Sequence, residues 1–237
     1  MRKYLNLLLF TFVLVMNYLA NALPLNGKST GELSDQYPNL FVPAGLTFSI
    51  WGVIYLLLIA YLTFQLSSKR ESTERAIGWW LALNFVCNGS WIVAWHFEWV
   101  GLSLLIMLGL LVSLARINQS LAASDDTLAR VTFGIYLGWI CIATIANVTA
   151  LLVSNGWHGS ILSEPVWTIA VIFIGAAVVL WLMWRLVNPF LALAVSWAFL
   201  GIIIKRHADY PAVAVAAGVG LIAVAAGAVL WVPGLRR

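Results

Sequence analysis

The sequence predicts an all-α, polytopic membrane helix bundle of about eight transmembrane helices, and three observations predict it. The chain is 62% hydrophobic and only 9% charged, where a soluble domain carries about 25% charged residues. Its apolar residues fall into runs close to the roughly 20 residues that a helix needs to cross a bilayer. Its Lys and Arg residues sort into alternate loops, as they do where they set membrane orientation.

The runs are 4–23, 43–66, 77–95, 99–117, 131–153, 166–187, 189–204 and 211–232. The first follows MRK and closes on ANA, which resembles a signal peptide with its cleavage site. At about 20 residues it is long for such a segment, which favours an uncleaved first helix. A polar connection, 24–41, leads to the second run, which opens at Pro43 in PAGLTFSIWGVIY. Proline suits the first turn of a helix. The turn HFEWVG joins the third and fourth runs and is short enough for a tight helix–helix connection. Asp125, ahead of the fifth run, is a candidate helix cap. The seventh run is short for a crossing, and a re-entrant segment is its alternative. The eighth carries Gly218, Gly220 and Gly227, which permit close helix packing and equally suit a homodimer interface.

With the N-terminus inside, the inner basic residues are Arg2, Lys3, Lys69, Arg70, Arg75, Arg116, Arg130, Arg185, Arg236 and Arg237. The outer set is Lys28, Lys205 and Arg206, so the bias is ten against three. A re-entrant seventh run gives the same count, so charge does not decide it. The expected location is a bacterial inner membrane with a cytoplasmic N-terminus. The expected partners are the lipid bilayer and a small hydrophobic molecule. The net charge of +4 is scattered over short loops and is no nucleic-acid footprint. Cys87 and Cys141 lie in apolar runs without metal-ligand spacing. His96 and Glu98 are too few for a metal site. No span carries an acidic residue at its middle, which argues against a carboxylate proton relay. No nucleophile–base pair and no catalytic residue stands out, so no enzyme is expected.

The 13 tryptophans exceed what interfacial belts need. Trp51 and Tyr55 are four apart and share one helix face. Asn84, Asn88, Trp91 and Trp95 form a stripe on the third run, and Tyr136, Trp139, Ala143 and Asn147 another on the fifth. At about 1.5 Å of rise per residue, Trp51 and Asn88 each lie roughly 12 Å deep, Asn147 roughly 9 Å and Trp139 roughly 21 Å. The three stripes therefore overlap in the outer half of the bilayer, beneath the 24–41 connection. Spacing alone favours helix packing and interhelical hydrogen bonds. The shared depth fits a pocket walled by aromatic planes.

These residues resemble the signature of the tryptophan-rich sensory protein/translocator protein family, also called the peripheral benzodiazepine receptor. The likeness rests on Pro43-x7-Trp51-x3-Tyr55, on Asn88-x2-Trp91-x3-Trp95 and on Tyr136-x2-Trp139-x3-Ala143-x3-Asn147, with SNGW at 154–157 similar to the end of the family's last helix. Leu46 stands where the family commonly has Trp, and Phe48 is one place off. The resemblance covers about residues 1–160 and implies a five-helix ligand-binding bundle there, with 161–237 as a three-helix membrane extension. It implies a ligand site at Trp51, Asn88, Trp91, Trp95, Trp139, Ala143 and Asn147, to which the shared helix faces add Tyr55 and Tyr136. It also implies a planar ligand, a porphyrin or haem or else a sterol, with no obligatory cofactor. The expected function is a membrane receptor or sensor for such a ligand. A transporter of a small hydrophobic solute is the alternative, suggested by the three extra runs. Enzymatic breakdown of porphyrin ranks last.

Overall fold

The computed structural model describes residues 1–23, 25–66, 71–157 and 161–230, and these form helices joined by short connections. Lys69, Arg70, Arg236 and Arg237 of the inner basic set lie outside the described residues, as do the first residue of the 24–41 connection and the end of the last run. The helices are α1 (Arg2–Asn21), α2 (Thr30–Asp35), α3 (Ile50–Gln65), α4 (Glu71–Ile77), α5 (Trp80–His96), α6 (Val100–Ser120), α7 (Thr127–Ser154), α8 (Glu164–Arg185), α9 (Leu191–Arg206) and α10 (Pro211–Leu230).

Six of these are long and apolar enough to cross a bilayer: α1, α3 with the 3-10 turn before it, α6, α7, α8 and α10. α4 and α5 make a seventh if they form one broken span, bent by 63°. Gly78 sits at that break with a φ of +61°, a conformation that glycine adopts without the strain of a Cβ. The result is a polytopic helical membrane bundle. α9, with 16 residues, reaches roughly 24 Å, less than the roughly 30 Å of hydrocarbon.

Each helix packs beside the next in the order α1, α5, α6, α7, α9, α10, α8, with α3 also against α7. α7 is the central member and buries Phe133, Tyr136, Leu137 and Ile140 completely. The closest approach joins α7 to α9. A Cβ on Gly138 would strike the Leu191 carbonyl oxygen and lie 3.0 Å from Leu191 C and Cα. Only hydrogen at that position lets the two backbones meet.

Amides close one end of the bundle. Asn118 donates to the Phe133 carbonyl at 2.9 Å, and Asn188 donates to Asn118 Oδ1 and to the Arg130 carbonyl, each at 2.8 Å. Arg130 donates to the Val187 carbonyl at 2.5 Å. The turn between α8 and α9 is thereby fixed to the α6–α7 end. α7 is capped by Asp126, whose carboxylate accepts from the Ala129 N–H at 3.0 Å, and not by the neighbouring Asp125. Its other oxygen receives Thr73 from α4 at 3.2 Å.

The segment 25–49 closes the opposite end. Ser29 and Glu32 form a reciprocal capping box that starts α2. The Asn39 side chain accepts from the N–H groups of Phe41 and Val42, at 3.1 and 3.0 Å. Pro43 stands two residues ahead of a 3-10 turn, Gly45–Ser49, and α3 proper begins only at Ile50. The arriving chain is thus shaped by a turn rather than by a proline at the first helical position.

Candidate ligand-binding site

Helical spacing brings the aromatic residues of α3, α5 and α7 together. Trp51 stacks on Tyr55, with ring centroids 5.5 Å apart, and on Trp91 at 6.3 Å. It meets Tyr136 and Trp139 edge-on at 5.8 and 6.3 Å. Trp91 stacks in turn on Trp95 at 6.0 Å. These separations are those of favourable offset and edge-to-face ring pairs. Trp51 is the hub, because its neighbours come from all three helices.

Two amide clusters hold the rings in place. Asn147 Oδ1 accepts from Trp91 Nε1 at 3.4 Å and from the Ser103 hydroxyl at 3.0 Å, and its Nδ2 donates to the Ala143 carbonyl at 3.2 Å. Deeper in the bundle, Asn88 donates to the Tyr136 hydroxyl at 2.5 Å and accepts from Asn17 of α1 at 3.4 Å. Both amides are buried and satisfied by the protein. Asn84, next on the α5 stripe, donates to Ser113 of α6 at 2.9 Å and faces that helix.

A cavity of about 40 Å³ lies among these rings. Six of the residues expected from the sequence line it: Trp51, Trp91, Trp95, Trp139, Ala143 and Asn147. Tyr55 instead lines an adjoining cavity of about 340 Å³ on the α1 side, while Asn88 and Tyr136 support the walls without lining either space. The two cavities share Thr30, Phe48 and Trp51 as their partition. Ligand pockets usually measure about 300–1,000 Å³. The aromatic cavity falls well below that range, and the adjoining one is within it.

One residue lining the cavity carries an unpaired polar atom. Trp139 is buried, and its indole N–H has no hydrogen-bond partner among the described residues. A buried donor left unpaired is uncommon and disfavoured by about 1–3 kcal/mol, which an acceptor on a guest would relieve. His96, beside the site, is engaged at both ring nitrogens, by Thr30 Oγ1 at 3.1 Å and by the Leu25 carbonyl at 3.0 Å. It is not free to ligate a haem iron.

The roof comes from the 25–49 segment, which supplies Thr30, Ser34, Asn39, Val42, Pro43 and Phe48. Phe48 meets Trp139 edge-on at 5.9 Å, and Tyr37 packs on Trp95 at 5.8 Å. Burial and the charge of Glu98 push the Tyr37 phenol pKa up. Ser29, through its backbone N–H and its hydroxyl, holds the Glu32 carboxyl below the usual carboxylate range. Lys28 pairs with Glu98 at 3.1 Å. The sequence placed the 24–41 connection above the site and Pro43 in the motif, but it named no roof residue as a cavity lining and gave no sign of Ser103. Pro43, which opens the motif, and Phe48, an aromatic three residues before Trp51, carried local signals.

No curated protein and no solved structure matches the chain. The family model described as TSPO-like protein matches residues 3–230, reaching through α8, α9 and α10 and beyond the first 160 residues that carry the motif likeness. With that coverage, the chain belongs to the TSPO-like protein family.

Proposed function

We propose that this membrane protein binds a planar hydrophobic ligand bearing a hydrogen-bond acceptor, a tetrapyrrole in the first instance, between α3, α5 and α7. Its role is that of a receptor or sensor and not of an enzyme. One observation carries the reading: a cavity walled by stacked indoles, one of which, Trp139, has a buried and unpaired N–H. Stacked rings offer flat faces to a flat guest, and the N–H offers a point of orientation. Binding requires the partition of Phe48 and Trp51, or the roof, to move and join the small cavity to the larger one. The same shared partition favours a second reading, transport, because it sets two chambers in series. In either reading the chain crosses the membrane eight times, with α9 as the seventh crossing and the N-terminus inside.

Titration with protoporphyrin IX, followed by quenching of tryptophan fluorescence, tests the site. The Trp139→Leu/Asn147→Leu double variant is expected to lose saturable quenching. Quenching like that of the unmodified protein would count against the cavity. Flux of a labelled solute through proteoliposomes separates transport from binding.

A further inference from the structure

The roof of the cavity is fastened from the side by α9. Arg206 donates to two successive roof carbonyls, Asn39 O at 2.6 Å and Leu40 O at 3.1 Å. Four residues further along the roof, the Ala44 N–H donates to the Gly201 carbonyl at 3.1 Å, and the Trp197 indole N–H reaches the Thr47 carbonyl at 2.9 Å. Lys205 pairs with Asp35 at 3.1 Å. Trp197, Gly201 and Lys205 follow one another at steps of four and share one face of α9. Gly201 lets the roof lie against that face, since a Cβ there would strike Thr47 Oγ1 and come within 2.9 Å of Pro43 Cβ.

The two fastenings bracket Val42 and Pro43, which line the cavity, while Trp197, Gly201 and Arg206 do not line it. Most of the bonds go to roof carbonyls, so they fix the backbone path whatever side chains the roof carries. Arg206 is suited to this, because its planar fork holds two acceptors at once.

We propose that α9 is a clamp that sets the closed position of the roof, with Arg206 and Trp197 as positioning residues, so that the C-terminal helices govern ligand exchange at the aromatic cavity. This rests on the ligand reading above only for what is exchanged; the clamp itself is a property of the fold. Loosening the clamp raises the rates of both association and release. A merely supporting role would weaken binding without speeding association.

The test uses the full chain with Arg206→Ala, Arg206→Lys and Trp197→Phe. The first readout needs no ligand: maleimide labelling of Val42→Cys, a position 4% exposed, measured against the parent that retains Cys87 and Cys141. Loss of a hydrogen bond from a charged donor is expected to speed labelling about tenfold in Arg206→Ala, with smaller gains in the two conservative variants. The second readout is stopped-flow quenching by protoporphyrin IX in the native Val42 background, where association and release are both expected to quicken. Labelling at the parent rate in Arg206→Ala and Trp197→Phe overturns the clamp. If Arg206→Ala does not fold, Trp197→Phe and Arg206→Lys decide the matter on the same two readouts. Faster labelling with unchanged porphyrin exchange upholds the clamp and removes the tetrapyrrole from the cavity.

Discussion

Replacing Gly138 by Ala adds one methyl where α7 touches the backbone of α9. The new carbon would lie 3.0 Å from Leu191 C and Cα and nearer still to the carbonyl oxygen. Carbon atoms rest at about 3.5–4.0 Å, so the helices must part by roughly half an ångström or more. The obstacle is main chain, which has no rotamer to swing away. Overpacking of this kind costs about 1–3 kcal/mol, set against a helix-propensity gain of up to about 1 kcal/mol for Gly to Ala. A net loss of about 1–2 kcal/mol corresponds to a melting temperature lowered by roughly 2–8 °C in a chain of this size. Gly101→Ala is the control, since a Cβ there meets nothing within 4 Å, and it is expected to melt at or above the parent temperature. The assay is thermal unfolding of detergent-purified protein, followed by thiol-dye reaction with the buried Cys141. A Gly138→Ala variant as stable as Gly101→Ala would refute the close contact between α7 and α9.

Four further outcomes are expected. Trp139→Phe keeps a ring but removes an N–H that bonds nothing among the described residues. It should leave the melting temperature nearly unchanged while weakening protoporphyrin IX binding about tenfold; equal affinity would show that the N–H does not meet the ligand. Asn147→Leu strips the acceptor from both Trp91 and Ser103 and should destabilise the protein by about 1–3 kcal/mol in denaturant titration. Asn188→Leu, which severs the links to Asn118 and Arg130, should lower stability by about as much without altering ligand affinity, a split that melting and quenching together would reveal. Because the Glu32 pKa is lowered, its contribution to the capping box is complete above its ordinary value of 4.5 and is lost as pH falls through the lowered value. Proteolysis of the roof should therefore quicken only below that ordinary value, and an onset near neutrality would contradict this.

The aromatic core of the site was legible because it is written at helical spacing. Trp51 with Tyr55, Asn88 with Trp91 and Trp95, and Tyr136 through Asn147 follow steps of three and four, and a fixed rise per residue puts them at one depth. The roof was not legible in this way. Thr30, Asn39 and Val42 belong to a segment without period, and their positions come from side chain–backbone bonds such as those of Asn39. The partners of Asn88 and Asn147 were not legible either. Ser103 and Asn17, on helices with no aromatic stripe, satisfy those amides. The helix cap moved from Asp125 to Asp126 because capping depends on the local turn, which composition does not distinguish between adjacent aspartates. The break between α4 and α5 did leave a trace, a glycine inside an apolar run.

The bonds between α9 and the roof span 150 to 170 residues of chain. A ribosome adds about 5–20 residues per second, so on the order of ten seconds or more separates the synthesis of the roof from that of its fastening. The last wall residue of the cavity, Ala150, precedes Trp197 and Arg206 by 47 and 56 residues, so the finished walls stand for roughly 2–11 seconds under a roof not yet fastened to α9. If the clamp proposed above sets ligand exchange, a ligand loaded within that time would meet a looser roof than one arriving later.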